Sequence, residues 1–393
     1  MPILACYQQH CCMNRAQKKF QMAEWFMQQC LDHSLSATAG VHVVTNEHLV
    51  QSSSRVVMVA GIRPSGKTVS GRESQMDLQR VDDTGPQSVL RLMNRANKRL
   101  EYLLFNLEHE ADAQAKILDV ARTVAFATEL NSDIALACIL LNQAEGSYAI
   151  RHCVDSAVVA MLVARALETA PNERLTIMAA AITMNVGMLR DQEQLQSRTG
   201  AISSQEIERI RNHPQQSADL LQQAGIDDPD WLSYVLLHHE NEDGSGYPFG
   251  KTGADIPLNA KIISLADRYC ARVSSRNYRK SLLPNAALSD ILLGDSDSIE
   301  PMLTACFIRV LGTCPTGTLV RLKNEEIGVI TGQGEGRATP IVHALLGPDG
   351  ARLSSPGRRD TAEERFAIRE MLSEDQVAIR FTMQQVWGDA ASA

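Results

Sequence analysis

The stretch HHENEDGSGYPFGKTGADIPLNAKIISLAD, residues 238–267, carries the clearest chemical pattern in this chain. It opens with two adjacent histidines, continues through acidic residues into a glycine-rich turn, and ends in an apolar helical run closed by Asp267. Neutral imidazoles are good ligands for iron, zinc or manganese, and glycines let the backbone approach a bound group closely. The stretch therefore predicts a metal site at the end of a helix, with the carboxylate of Asp267 brought into the same site.

The composition excludes several protein classes. Of the 393 residues, 44% are hydrophobic and 21% are charged, so a collagen, a disordered chain or a membrane bundle is not expected. The formal net charge of −8 argues against general binding of DNA or of anionic lipid. The nine cysteines form no CxxC pair, and neither a signal peptide nor an apolar run of roughly 20 residues is evident. We therefore expect a cytoplasmic protein with reduced thiols that contacts neither DNA nor a membrane.

The first third of the chain is predicted to contain three segments. Residues 1–61 combine a helical start with two β-branched runs and are expected to form a small N-terminal α/β module of unknown type. Residues 62–86 are rich in Gly, Ser and Pro, which is typical of a linker. Apolar residues recur at three- and four-residue steps from Val89 to Leu107, so residues 87–129 are predicted to form a connecting helix. That helix either packs on its own domain or pairs with a second chain in a parallel homodimer.

The remaining chain is predicted to contain a helical domain and a β-rich extension. Helical periodicity dominates residues 130–305. Residues 306–393 are predicted to form a β-rich extension. Within it, the short runs TLVRL, EIGVITG and PIVHALL predict a small β-barrel over residues 306–355, and a closing helix is predicted from Thr361 to Leu372. The predicted fold class is therefore mainly α: a helical bundle with a small N-terminal α/β module and a small β-rich C-terminal appendage.

One short match is interpreted as chance. The sequence GIRPSGKT, residues 61–68, satisfies the phosphate-loop pattern GxxxxGK[ST]. A helix must begin at Lys67 in a true phosphate loop, but the sequence continues VSGRES without apolar periodicity. Pro64 also removes a backbone N–H from the loop. The context that would support nucleotide triphosphate binding is absent from this part of the sequence.

The longer pattern resembles a known family. The spacings HHExxDGxGYP and xGxxIPxxAxIxxxAD are similar to the signature of the HD-GYP domain, a bacterial branch of the HD phosphohydrolase superfamily. The resemblance covers about residues 130–320: NYRKSL matches the segment after the metal site, and FIRVLGTCPTGTLVRLKNEEIGVI is similar to a C-terminal extension common in the family. It implies a helical HD-superfamily bundle and hydrolysis of the second messenger cyclic di-GMP.

The resemblance also implies the site residues. It places metal ligands at His152 in SYAIRH, at His213 in EIERIRNHP, and at His238, His239 and Asp267 in the opening stretch. Apart from the resemblance, Arg268, Arg272 and Arg276 recur every four residues and are followed by Arg279 and Lys280, which predicts a basic helix face that suits an anionic phosphate ligand, unless it is a solvated surface helix. The predicted nucleotide-binding positions come from the glycine-rich loop and from this cationic segment: Gly246, Tyr247, Pro248, Arg276, Arg279 and Lys280.

The sequence departs from the family at the positions that give it its name. In AAAITMNVGMLRD, Met184 stands for the family His, Asn185 for the Asp that bridges the metals, and Met188 for the Lys near the scissile phosphate. Tyr148 stands where trinuclear members have a Glu, and Cys270 where a further Asp is usual. No residue is therefore assigned as catalytic.

These losses bear on how many metal ions the site can hold. Two-metal hydrolysis keeps its ions about 3.5–4 Å apart, and their repulsion must be offset by anionic ligands. Asp267 is the one carboxylate left among the matched ligands, so the second metal site is expected to be lost. A single divalent ion, Fe, Mn or Zn, held by His213, His238 and His239 is expected instead, unless these histidines form a metal-free, hydrogen-bonded relic.

Three functions are left open by the sequence. The favoured hypothesis is an HD-GYP-type cyclic di-GMP signalling protein with impaired hydrolysis, which acts as a sensor of that or a related nucleotide or as an interaction module. The first alternative is an active cyclic di-GMP phosphodiesterase that produces pGpG or GMP. The second is a scaffold without ligand that contacts a partner such as a diguanylate cyclase domain.

Overall fold

The structure is a computed structural model that describes residues 87–197, 202–274, 281–293, 299–334, 339–377 and 379–393. Three predicted features lie outside the described residues: the N-terminal module, the linker and the phosphate-loop match. The cationic residues Arg276, Arg279 and Lys280 also lie outside them.

Helices form most of the described chain, and a small antiparallel sheet follows them, which confirms the predicted fold class for this part of the protein. The helices are α1 (Val89–Phe105), α2 (Ala113–Leu130), α3 (Ser132–Leu141), α4 (Tyr148–Ala166), α5 (Pro171–Thr183), α6 (Leu189–Ser197), α7 (Ser204–Gln223), α8 (Pro229–Leu237), α9 (Leu258–Val273), α10 (Pro284–Leu293), α11 (Pro301–Leu311) and α12 (Met383–Trp387). No single described helix is long and apolar enough to cross a membrane, and α2 and α3 meet that criterion only as a pair bent by 108°.

The predicted apolar stripe lies on α1 and is buried within the chain itself. Ser88 caps the helix by accepting a hydrogen bond from the Arg91 N–H, and Val89 and Leu100 are fully buried where α1 packs on α2. The stripe is therefore already covered and does not provide the free apolar face that a parallel dimer helix requires. The homodimer proposal loses this support because intrachain packing takes up the same face.

The predicted connecting helix over residues 87–129 is wrong in one respect, because it is two helices. α1 ends at Phe105, and Asp112, with a left-handed φ of 55°, precedes α2. A non-glycine residue in that region interrupts a helix, so the chain reverses here and α2 packs back on α1.

The core of the helical body is organised around α4. This helix is buried along most of its length and packs between α5 and α9. Its sequence is accordingly apolar on nearly every face, as expected of a central helix. The helix α8 is joined to α5 by Trp231, which is fully buried and whose Nε1–H donates to Thr183 Oγ1 at 2.8 Å. This bond ties the end of α5 to the helix that precedes the paired histidines.

The C-terminal sheet contains the three predicted strand runs. Its strands are β1 (Leu319–Leu322), β2 (Ile327–Gln333), β3 (Pro340–Leu346), β4 (Arg352–Asp360) and β5 (Ile368–Leu372). They lie in the order β4-β3-β2-β1-β5, and all neighbours are antiparallel. The predicted barrel is wrong for the described residues, because β4 and β5 are the edges of an open sheet and do not pair.

The predicted closing helix from Thr361 to Leu372 is also wrong. This segment forms a short 3-10 turn and then β5, whose Leu372 pairs with Leu319 of β1. Ile368 packs against the small apolar cluster on one side of the sheet, so strand pairing and burial override the local helical pattern. The extension also begins later than predicted, since α11 continues to Leu311.

Substitution of the buried stripe tests the intrachain packing of α1. Leu100→Ala is expected to lower the free energy of unfolding by about 2–5 kcal/mol, because it empties a fully buried site. Arg95→Ala, on the exposed face of the same helix, is the matched control and should change it by less than about 0.5 kcal/mol. Chemical denaturation at a low and a high protein concentration measures both. A loss that grows on dilution would show that the stripe is an interface between chains.

Candidate metal centre

Three histidines converge where α7 packs against α8. His213 lies on α7, and His238 and His239 directly follow α8. Their ligand nitrogens all lie within 4.8 Å of one another, and the ring centroids of His238 and His239 are 4.1 Å apart. Within the described residues, this is the one group of three histidine, cysteine or carboxylate side chains that is close enough to share a metal ion. We call it the histidine trio.

Backbone carbonyls orient two of the three rings. Nδ1 of His213 lies 2.6 Å from the carbonyl oxygen of Ile210, and Nδ1 of His238 lies 2.6 Å from that of Val235. Because a carbonyl oxygen only accepts, each Nδ1 carries a proton and donates it. In a neutral imidazole Nε2 is then left with a lone pair, and the two Nε2 atoms face each other at 3.3 Å. Two lone pairs in this position repel each other unless a cation lies between them.

Burial keeps the histidine trio uncharged. Burial, reinforced by His238, lowers the pKa of His213 to about 3. Burial also lowers the pKa of His238, and burial together with the neighbouring His238 lowers the pKa of His239. All three rings are therefore neutral at pH 7, which is the form that binds a metal ion. A donor set of three neutral imidazoles, two of them held by carbonyls, fits one divalent metal ion.

The other two predicted ligands form a separate pair. His152 of α4 and Asp267 of α9 are both buried, and Nε2 of His152 lies 2.7 Å from Oδ1 of Asp267. Burial alone would raise the pKa of Asp267, but the hydrogen bond and charge of His152, with His239 and His238 contributing, hold that pKa well below its usual range. Among the described residues, Nδ1 of His152 has no hydrogen-bond partner. The carboxylate expected to bind metal is therefore engaged by an imidazole.

The positions that depart from the family pattern lie in three environments. Met184 is fully buried in the apolar core. Asn185 is buried and forms a hydrogen bond with Cys153. Cys153 directly follows His152 on α4. Met188 lines an open cleft together with Phe105 of α1. None of these side chains supplies a negative charge to the histidine trio.

Gly187 allows the turn after α5 to pack closely against α7, the helix that carries His213. The 3-10 turn Val186–Met188 follows α5, and the N–H of Gly187 donates to Ser217 Oγ at 3.0 Å. A Cβ at Gly187 would lie 2.8 Å from the backbone nitrogen of Ser217, so no larger residue fits without displacement. Since Ser217 is about one helical turn beyond His213, the turn and the metal centre share one support.

The loop after the paired histidines folds back over them. Tyr247 stacks on His239 with centroids 4.7 Å apart, and its N–H donates to the His239 carbonyl at 3.1 Å. A Cβ at Gly246 would lie 2.6 Å from that same carbonyl oxygen, which explains the glycine. Pro248 directly follows Tyr247, so the structure places the three predicted loop residues beside the histidine trio.

A buried carboxylate that sequence reasoning missed holds the loop closed. Glu240 is 3% exposed and accepts hydrogen bonds from the N–H groups of Phe249 at 2.7 Å and Lys251 at 2.9 Å. The sequence feature that could have identified Glu240 is its position directly after the two histidines, because a carboxylate buried there needs hydrogen-bond partners. Glu240 is therefore a positioning residue, which acts on His239 through the loop.

Glu240→Gln tests this role. The glutamine amide offers one accepting oxygen where two N–H groups need acceptors, so the closed loop should lose about 1–3 kcal/mol. Amide hydrogen exchange over residues 241–251 measures the loss, at about tenfold faster exchange per 1.4 kcal/mol. Asp255→Asn, an exposed carboxylate just beyond this segment, is the matched control and should leave exchange unchanged. Equal exchange in both variants would remove Glu240 as the group that closes the loop.

Comparison with known proteins gives matches over the same region. Residues 139–302 match the family model of the HD domain. A cyclic di-GMP phosphodiesterase of Pseudomonas aeruginosa is 27% identical over 236 residues, which cover 58% of this chain and 56% of that protein. A 3'3'-cGAMP-specific phosphodiesterase of Vibrio cholerae is 26% identical over 193 residues, covering 48% and 44%. A solved HDGYP protein from Bdellovibrio bacteriovorus aligns with a TM-score of 0.49 at 17% identity, over 59% of this chain and 75% of that one.

The matched region contains the candidate site. The chain spans about half the length of the two curated relatives described above. The family match includes every predicted ligand from His152 to Asp267, together with the helices that carry them. Residues 139–302 are therefore similar to an HD domain, and this match supports membership of the region in the HD superfamily.

Proposed function

We propose that this chain binds a cyclic dinucleotide at a centre with a single metal ion and hydrolyses it poorly or not at all. The observation that carries the proposal is the contrast between two sets of residues. The histidine trio keeps the arrangement needed for one ion, whereas Met184, Asn185 and Met188 have replaced the groups that the family uses for the second ion and for the phosphate. The protein would then report the nucleotide instead of destroying it.

The geometry of the histidine trio supports one ion. Two nitrogens bound at 2.0–2.1 Å to a tetrahedral ion lie about 3.3–3.4 Å apart, and the Nε2 atoms of His213 and His238 are 3.3 Å apart. His239, close to both, would supply a third nitrogen. Fe, Mn and Zn all accept imidazole ligands, and an open coordination position would remain for water or a phosphate oxygen.

Electrostatics argue against a second ion. Two divalent cations about 3.5–4 Å apart repel each other by on the order of 15–20 kcal/mol at an effective dielectric constant of 20. Bridging carboxylates normally offset this repulsion, but Asn185 is neutral and Met184 is packed in the core. Asp267 remains, and His152 already engages it.

The nucleotide class follows from the relatives and from the loop. The relatives are named for cyclic di-GMP and for 3'3'-cGAMP, which share two phosphodiester groups. Arg268 interacts electrostatically with His239, and Arg211 with Tyr247, so cations flank the site from two helices. We propose that the loop residues Gly246, Tyr247 and Pro248, with Arg276, Arg279 and Lys280, contact the nucleotide.

The same loop would serve an interaction module. Phe249, directly after Pro248, is 55% exposed although it is a large apolar side chain. An exposed aromatic residue on a rigidly held loop is a favourable anchor for a protein partner. A signalling partner such as a diguanylate cyclase domain is therefore included in the proposal.

Metal content and turnover, measured on one preparation, test the proposed function. The wild-type chain should hold about one divalent ion, and the variant His213→Ala/His238→Ala/His239→Ala should hold none, because three neutral imidazoles are the ligands. Cyclic di-GMP should bind the wild type, with turnover no higher than in the triple variant. Turnover clearly above that of the triple variant would favour an active phosphodiesterase with a mononuclear centre. If the wild type binds none of the nucleotides tested, the proposed function is wrong and the scaffold without ligand is favoured.

Restoring the family residues tests the account of the second metal. Met184→His, Asn185→Asp and Met188→Lys together should raise the metal content from about one to about two ions per chain, because the bridging carboxylate returns. Met184→Leu, which keeps the buried volume without adding a ligand, is the matched control and should stay at one. Because Met184 is fully buried, Asn185→Asp alone is measured as well. A folded triple variant without extra metal would contradict the account.

A further inference from the structure

We propose that the protein has a second ligand site, in a cleft between the helical body and the C-terminal sheet. The cleft has a volume of about 840 Å³, which is within the range of small-molecule sites, roughly 300–1,000 Å³. It is bordered by the ends of α4 and α11, the start of α3, and strands of the sheet. It shares no lining residue with the histidine trio or with its loop, so the inference does not rest on the proposed function.

Two arginines give the cleft an excess of positive charge. Arg309 donates one hydrogen bond to the Ala166 carbonyl at 2.7 Å, and its other N–H groups remain as donors for a ligand. Arg165 is exposed, and within the described part of the chain its guanidinium has no hydrogen-bond or ion-pair partner. Asp133 is the acidic residue of the lining and accepts a hydrogen bond from Thr316 Oγ1 at 2.9 Å, but it offsets only one of the two arginine charges. The cleft therefore favours an anionic group on the ligand.

The rest of the lining favours an apolar body on the same ligand. Leu136, Leu162 and Leu311 are each less than 10% exposed and form the apolar part of the wall. Guanidinium groups bind phosphates bidentately and also stack on flat rings, so two arginines beside leucines suit a molecule that carries a phosphate and a base. The chemical class is a nucleoside monophosphate, bound through its phosphate by Arg165 and Arg309.

The cleft contains its own chemical reporter. Cys314 lines it and is partly exposed, whereas the other cysteines of the described residues are buried: Cys138, Cys153, Cys270 and Cys306. Burial raises the pKa of the Cys314 thiol, so alkylation is carried out at alkaline pH, where enough thiolate forms to react. A ligand that fills the cleft should shield this thiol selectively.

The test measures the rate at which iodoacetamide alkylates Cys314 in the full-length protein, followed by peptide mass spectrometry. GMP should slow this reaction by about tenfold at ten times its Kd, since protection follows occupancy. Arg165→Ala/Arg309→Ala should lose the protection, and Arg95→Ala, which removes an exposed cation elsewhere, should keep it. The variant His213→Ala/His238→Ala/His239→Ala should also keep it, which separates this site from the proposed metal centre.

Three outcomes would overturn the inference. An alkylation rate of the wild-type Cys314 that does not change with GMP would remove the site. Protection that persists in a folded Arg165→Ala/Arg309→Ala variant would remove the arginines as its ligands. Equal protection by inorganic phosphate and by GMP, with none by guanosine, would overturn the nucleotide assignment, because the base would then contribute nothing.

Discussion

The candidate site depends on two unprotonated Nε2 atoms, of His213 and His238, that face each other at 3.3 Å in a buried environment. Each ring is held by a carbonyl of its own helix, so neither can turn its N–H toward the other without losing that bond. Burial also disfavours adding a proton to either ring. A cation is the group that satisfies both lone pairs at once, and the packing of α7 on α8 sets where it would lie.

The loss of the family residues is consistent with an intact fold. Met184, at the position where the resemblance implies a metal ligand, places a buried thioether in the apolar core and contributes packing there. His152 and Asp267 form a hydrogen-bonded pair, which compensates a buried carboxylate that a metal would otherwise neutralise. The loop stays closed through Glu240 and Gly246, contacts that do not involve the lost groups.

The sequence predicts the parts of this structure that depend on local spacing. The helical body and the three strand runs follow from periodicity. The convergence of His213 with the adjacent pair is implied by the resemblance to the HD-GYP family, and the structure brings the three side chains together. Features that depend on tertiary contacts could not be predicted. Ile368 belongs to a strand because β1 offers it an edge and a covered apolar cluster. Likewise, the pairing of Asp267 with His152 joins two helices that are 115 residues apart in the sequence. The closure of the loop by Glu240 depends on backbone N–H groups 9 and 11 residues further on, which spacing alone does not bring to its carboxylate.

The central claim is that the histidine trio holds one ion and that no second ion binds at the His152–Asp267 pair. Anomalous diffraction from crystals of the protein loaded with zinc tests it most directly. The account predicts a single peak, at about 2.0–2.1 Å from the Nε2 atoms of His213 and His238. A second peak beside Asp267, about 3.5–4 Å from the first, would contradict it.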